Sequence, residues 1–244
     1  MRSPDPDALE GGALRLLSDA GCLGLWQPSP IAIAQGLGYR ISRSLPPRRH
    51  GWVDHDNRII CVRVGLTWQQ LVKTVGHENG HILLERLGVP REEQEPYADA
   101  AAKLLELPRA SVLQSLTDCG GFVPSSLIAD FPHSAPIDVL TRAAHVAGVG
   151  LLICSARSVL VMVNGSHWRE VNITMPARLQ RRMVGSLLGR RRCIQTAFGV
   201  TGWRFDDGAG RPRVALVVDP DRCLAVEVGA YQRAAESPLL ALGA

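Results

Sequence analysis

The stretch from Thr67 to Pro90 leaves the chain little choice of conformation. Thr67 followed three residues later by Gln70 matches a capping box, in which each side chain satisfies the other residue's backbone N–H. Leu71, Val72, Val75, Ile82 and Leu83 then give apolar content at helical spacing, and Gly88 and Pro90 stop the run. The helix expected here, ending at about Leu87, carries the segment GHENGHILLERLG well inside it. Residues i and i+4 share one helix face, so His77 and His81 present two imidazoles to one point. Glu78 stands beside the first, angled toward water next to that point. This is the HExxH pattern, two histidines on Zn2+ and a glutamate that moves a proton.

A catalytic zinc takes three protein ligands and keeps one position open. Glu95, on the next helix, is the candidate third ligand, and Glu92 and Glu93 are its rivals. All three also suit a solvated acidic first turn, which favours the helix dipole. Asp99, four residues beyond Glu95 on the same face, is placed to accept a hydrogen bond from a ligand histidine and fix its tautomer. This second helix is expected from Glu92 or Glu95 to Glu106, before Pro108. A proline fits only the first turn of a helix, so Pro96 puts Glu95 near the start. Tyr97, His50, His55 and Tyr231 are candidate donors to a developing oxyanion, and the sequence does not choose among them. His133, His145 and His167 have no ligand-like spacing.

The remaining pattern is α+β. Residues 7–21 and IAIAQGLG read as short helices, YRIS and NRIICVRVGL as strands, and LPPRRHG as a loop. Residues 109–145 are helical in pieces. From 149 the chain turns β-rich in GLLICSARSVLVMVNG, WREVNIT and PRVALVVDP, with the basic helix ARLQRRMVGSLLGRRR between the last two. The expected division is a mostly helical domain over 1–145 and a mixed α/β domain over 146–244. No apolar run reaches the 18 or so residues of a membrane helix. The N-terminus lacks the signature of a signal peptide. Six cysteines without a CxxC pair suit reduced thiols, and the expected location is cytoplasmic.

Charge is unevenly spread. Between Arg157 and Cys193 eight arginines face a single acid, Glu170, and the rest of the chain is net acidic. Arg178, Arg181, Arg182, Arg190, Arg191 and Arg192 are candidates for nucleic-acid phosphates, or for a solvated basic face. Trp168, Trp203 and Phe205 can stack on bases or pack in a core. Cys119, in TDCGGF, is a candidate latch, since a thiolate can fill zinc's fourth position; the alternative is a small buried residue. Replacing Cys119 by serine tests the latch. Raised basal cleavage is expected, and unchanged basal cleavage rules the latch out.

The segment GWVDHDNRIICVRVGLTWQQLVKTVGHENGHILLERLG, followed by EPYADAAAKLLELP, resembles the ImmA/IrrE family of zinc metallopeptidases. That family places an HExxH helix before a helix that reads E-x-x-A-[ND] and closes near L-x-P, matched here by Glu95 to Asp99 and by Leu107-Pro108. IAIAQGLGYRI fits its N-terminal helix-strand unit, and the likeness spans about residues 25 to 110. Asn79 stands where an apolar residue is usual, and Ala101 where an aromatic is common. The resemblance implies a zincin-like fold and a Zn2+ endopeptidase. Its partner would be a helix-turn-helix repressor, cut in response to DNA damage or phage-related signals. It also implies that 146–244 is a GAF-like sensory domain, responding to single-stranded DNA or a small ligand.

Overall fold

Thr67 does cap the central helix. Gln70 N–H donates to Thr67 Oγ1 at 3.3 Å, and Thr67 N–H donates to Gln70 Oε1 at 3.0 Å. This is seen in a computed structural model that describes residues 4–45, 51–155, 159–163, 184, 187–188, 194–195 and 200–218. The chain forms two compact units, Met1–Ser111 and Val112–Ala244.

The first unit runs α1 (Pro6–Asp19), α2 (Pro30–Gly36), β1 (Arg40–Leu45), β2 (Gly51–Asp54), β3 (Ile59–Arg63), α3 (Trp68–Arg86) and α4 (Arg91–Glu106). Its sheet has the order β1-β3-β2, with β1 parallel and β2 antiparallel to β3. One core joins Leu16 and Leu17 of α1, Ile33 of α2, Ile60 and Val62 of β3, and Leu83 of α3. Each is at most 2% exposed, and each such burial contributes about 1.5–3 kcal/mol before chain entropy is set against it.

Two features depart from the sequence reading. GWVD is a strand, although too short and too glycine-led to show as one. Helix α4 starts at Arg91, so Pro96 lies inside it and Glu95 falls in its second turn. Pro96 has no N–H for the Glu92 carbonyl, and Glu92 is exposed, where water can serve that oxygen.

The second unit takes in most of α5 (Arg109–Asp118), which straddles the division, then α6 (Pro124–Asp130) and α7 (Pro136–Ala147). Five strands follow: β4 (Gly150–Cys154), β5 (Val159–Val163), β6 (Ile194–Gln195), β7 (Val200–Asp206) and β8 (Pro212–Val218). Their order is β5-β4-β8-β7-β6, and every described pair is antiparallel. The two units divide at 111/112 rather than near 145, where the composition changes. The physical reason is that α6 and α7 pack on strands β4, β5 and β7 of this sheet. The β7–β8 hairpin turns at Asp207–Gly208, with Gly208 at φ +83°, a conformation glycine adopts without strain. Asp207 is held below the usual carboxylate range by the Ala209 and Arg211 N–H groups and by the Arg213 guanidinium, against a burial that pushes the other way. No helix among the described residues is long and apolar enough to cross a membrane.

Candidate metal centre

Helices α3 and α4 lie against each other at the closest backbone approach in the first unit. A Cβ added at Gly80 would stand 2.1 Å from the Ala98 carbonyl oxygen. That proximity brings Glu95 of α4 to the two histidines of α3. His77 Nε2 and His81 Nε2 are 3.2 Å apart. Glu95 Oε1 is 3.5 Å from the first, and Glu95 Oε2 is 3.3 Å from the second.

The second nitrogen of each ring is occupied. His77 Nδ1–H donates to Asp99 Oδ1 at 2.8 Å, and His81 Nδ1–H donates to Gln94 Oε1 at 3.0 Å. The bond from His77 is also what holds the Asp99 carboxyl below the usual carboxylate range. With both Nδ1 atoms donating, both Nε2 atoms carry lone pairs. Two lone-pair nitrogens and a carboxylate then converge, and such atoms repel unless a cation lies among them. Ligands bound to zinc at 2.0–2.2 Å in a tetrahedron stand about 3.3–3.6 Å from one another. Among the described residues, His77, His81 and Glu95 form the group able to hold a metal ion, and its spacing fits zinc. Glu92 and Glu93, the rival acids, stay in the first turn of α4 outside the group.

Glu78 is 4% exposed and faces a cavity of about 670 Å³ that His77, His81, Glu95, Asp99 and His55 also line. Burial pushes its carboxyl up to about 7, with His77 pulling down and Glu95 pushing up. Strand β2 runs directly over it. A Cβ at Gly51 would lie 2.4 Å from Glu78 Oε1, so only glycine lets the strand pass. The opposite lip carries the Arg91 guanidinium, 5.7 Å over the Trp52 ring.

Of the oxyanion candidates, His55 lines the cavity and shares a 3.2 Å hydrogen bond with Tyr39 Oη through its Nδ1. Burial lowers its pKa and keeps it neutral at pH 7. Tyr97 packs against the core. His50 and Tyr231 lie outside the described residues, as do Trp168 and Arg178, Arg181, Arg182, Arg190, Arg191 and Arg192. Phe205 is 7% exposed and belongs to the core of the second unit, and Trp203 faces Phe122 at 6.4 Å between ring centres. Cys119 is half-buried in the second unit, just past α5, with its N–H bonded to the Ser115 carbonyl.

Sequence reasoning missed Gln94, yet a signal was present. The buried positions of α4 are Gln94, Ala98, Ala101, Ala102 and Leu105, spaced as one helix face, and an amide in such a stripe must find partners. Asn79 also acquires a role. It is 1% exposed, and its Nδ2 donates to the Pro30 carbonyl at 2.8 Å, tying α3 to α2.

No family model and no curated protein matches the chain. A solved structure described as a Mycobacterium tuberculosis transcriptional regulator is similar in fold. It has 13% identity and a TM-score of 0.56, over 92% of this chain and 79% of that one. The chain therefore has a mixed α+β, regulator-like fold.

Proposed function

We propose that the chain is a zinc-dependent endopeptidase of the ImmA/IrrE kind, acting on a helix-turn-helix transcriptional repressor. The observation that supports this most is the meeting of His77 Nε2, His81 Nε2 and Glu95 oxygens beside the buried Glu78 carboxyl. Zinc bound there would supply Lewis acidity and a water nucleophile near neutral pH. Glu78 takes one proton from the attacking water and gives it to the departing amide nitrogen. The water oxygen bonds to the carbonyl carbon as the C–N bond breaks. His55 donates to the carbonyl oxygen as charge develops on it. Asp99 keeps His77 in the tautomer that turns Nε2 to the site.

Residues 146–244 are proposed as a GAF-like sensor of DNA damage or phage-related signals, switched by single-stranded DNA or a small ligand. The arginines at 178–192 would meet phosphate. The fold likeness to a transcriptional regulator supports a place in transcription control, and it equally favours a second reading, a non-proteolytic antirepressor that binds a repressor or nucleic acid. One incubation separates the two. The wild type and Glu78→Gln are each mixed with the small helix-turn-helix protein of a neighbouring reading frame, with and without single-stranded DNA. Cleavage by the wild type alone supports the peptidase. Derepression by both proteins without cleavage supports the antirepressor.

A further inference from the structure

We propose that Gln94 is a positioning residue of this centre: a buried amide that holds the His81 ring with its Nε2 lone pair turned to the metal. The inference rests on the zinc reading above and goes beyond it, because Gln94 is no ligand and touches no substrate.

Gln94 is 1% exposed, so its amide must be satisfied by protein. It makes three bonds. Its Nε2 donates to Glu85 Oε2 at 3.1 Å and to the Val89 carbonyl at 2.9 Å. Its Oε1 takes the bond from His81 Nδ1 at 3.0 Å. The two acceptors on one side settle which end of the amide is nitrogen, since a carbonyl oxygen placed there would face two other oxygens. The oxygen must therefore face His81, and His81 must donate from Nδ1. Its Nε2 is then left unprotonated on the side of His77 and Glu95. The tautomer of this ligand is set by the α3–α4 corner, through Glu85 at the end of α3 and Val89 in the turn.

The two histidines are held differently. His77 leans on a carboxylate, Asp99, whose side chain is 70% exposed. His81 leans on a neutral amide in the interior. A carboxylate at position 94 would face Glu85 and adjoin Glu95, three anions within a few ångströms in a poorly solvated place. The amide orients the ring without adding that charge.

The test is zinc affinity, measured on the full chain by competition with a chromophoric chelator, together with the visible spectrum of the Co2+-substituted protein. Gln94→Met keeps length and apolar fit and removes every hydrogen bond. Its zinc affinity falls by about 10–100-fold, the usual cost of losing such a partner, and the Co2+ spectrum shifts. In the pair Glu85→Gln/Gln94→Glu the amide and the carboxylate trade places, and His81 again has an acceptor. That protein recovers affinity to within about fivefold of wild type. A Gln94→Met protein that melts earlier but binds zinc as tightly, with an unchanged Co2+ spectrum, overturns the proposal. So does a pair no better than the single variant. A wild type that binds no zinc overturns the metal reading itself, and this proposal with it.

Discussion

The Glu78→Gln protein keeps its zinc and loses about 10²–10⁴-fold in cleavage rate, the range for removing a general base. The change is isosteric and alters one thing. Glu78 is no ligand in the converging set of His77, His81 and Glu95, so metal content stays at the wild-type level. An amide cannot take a proton from water near neutral pH, and the hydrolytic step loses its base. The site tolerates the exchange in packing, because the side chain is already buried beneath Gly51, and an uncharged group costs less there than a carboxylate. Stability should therefore hold or rise slightly in thermal melts. Loss of zinc from this variant would mean that Glu78 is itself a ligand. Retained cleavage would move the base elsewhere.

The second large effect is expected at Gly80. Alanine there would put a Cβ 2.1 Å from the Ala98 oxygen, 2.9 Å from the Ala98 carbonyl carbon and 3.2 Å from the Ala102 nitrogen. All three are backbone atoms and cannot rotate away. Helices α3 and α4 must separate, and overpacking of this kind costs about 1–3 kcal/mol, more than the roughly 1 kcal/mol that alanine gains over glycine in a helix. The separation also pulls His77 and His81 from Glu95, and a shift near 1 Å spoils a preorganised site. Gly80→Ala is expected to lower the melting temperature and to weaken zinc binding by at least about tenfold, like the loss of a ligand's support. Gly11→Ala is the control. Its Cβ meets only the Arg15 guanidinium at 3.6 Å, so the same substitution in α1 should be neutral or mildly stabilising.

The parts legible in the sequence are those whose signal is local. Thr67 and Gln70 announce α3 because a capping box needs only one turn. His77 and His81 can be paired on one face from helical spacing alone. Asp99 was read as a partner to a histidine from its offset to Glu95, and the structure places it on His77 Nδ1. What was not legible depends on other elements. Gln94 matters because Val89 and Glu85 fold back on it. Gly51 and Gly80 matter because a strand and a helix pass close by, which no spacing within one segment reveals. Strand β2 exists because β3 offers it a partner along Gly51–Val62 to Asp54–Ile59. Pro96 shows propensity yielding to context, since the packing of α4 on α3 carries the helix through a residue that ends most helices.

The central claim is that His77, His81 and Glu95 together hold one zinc. The most direct measurement is metal content per chain, by elemental analysis of the protein after exhaustive dialysis, for the wild type beside Glu95→Ala. The account predicts one zinc per wild-type chain and well under half of that in Glu95→Ala. A wild type without stoichiometric zinc, or a Glu95→Ala protein that keeps all of it, would contradict the account.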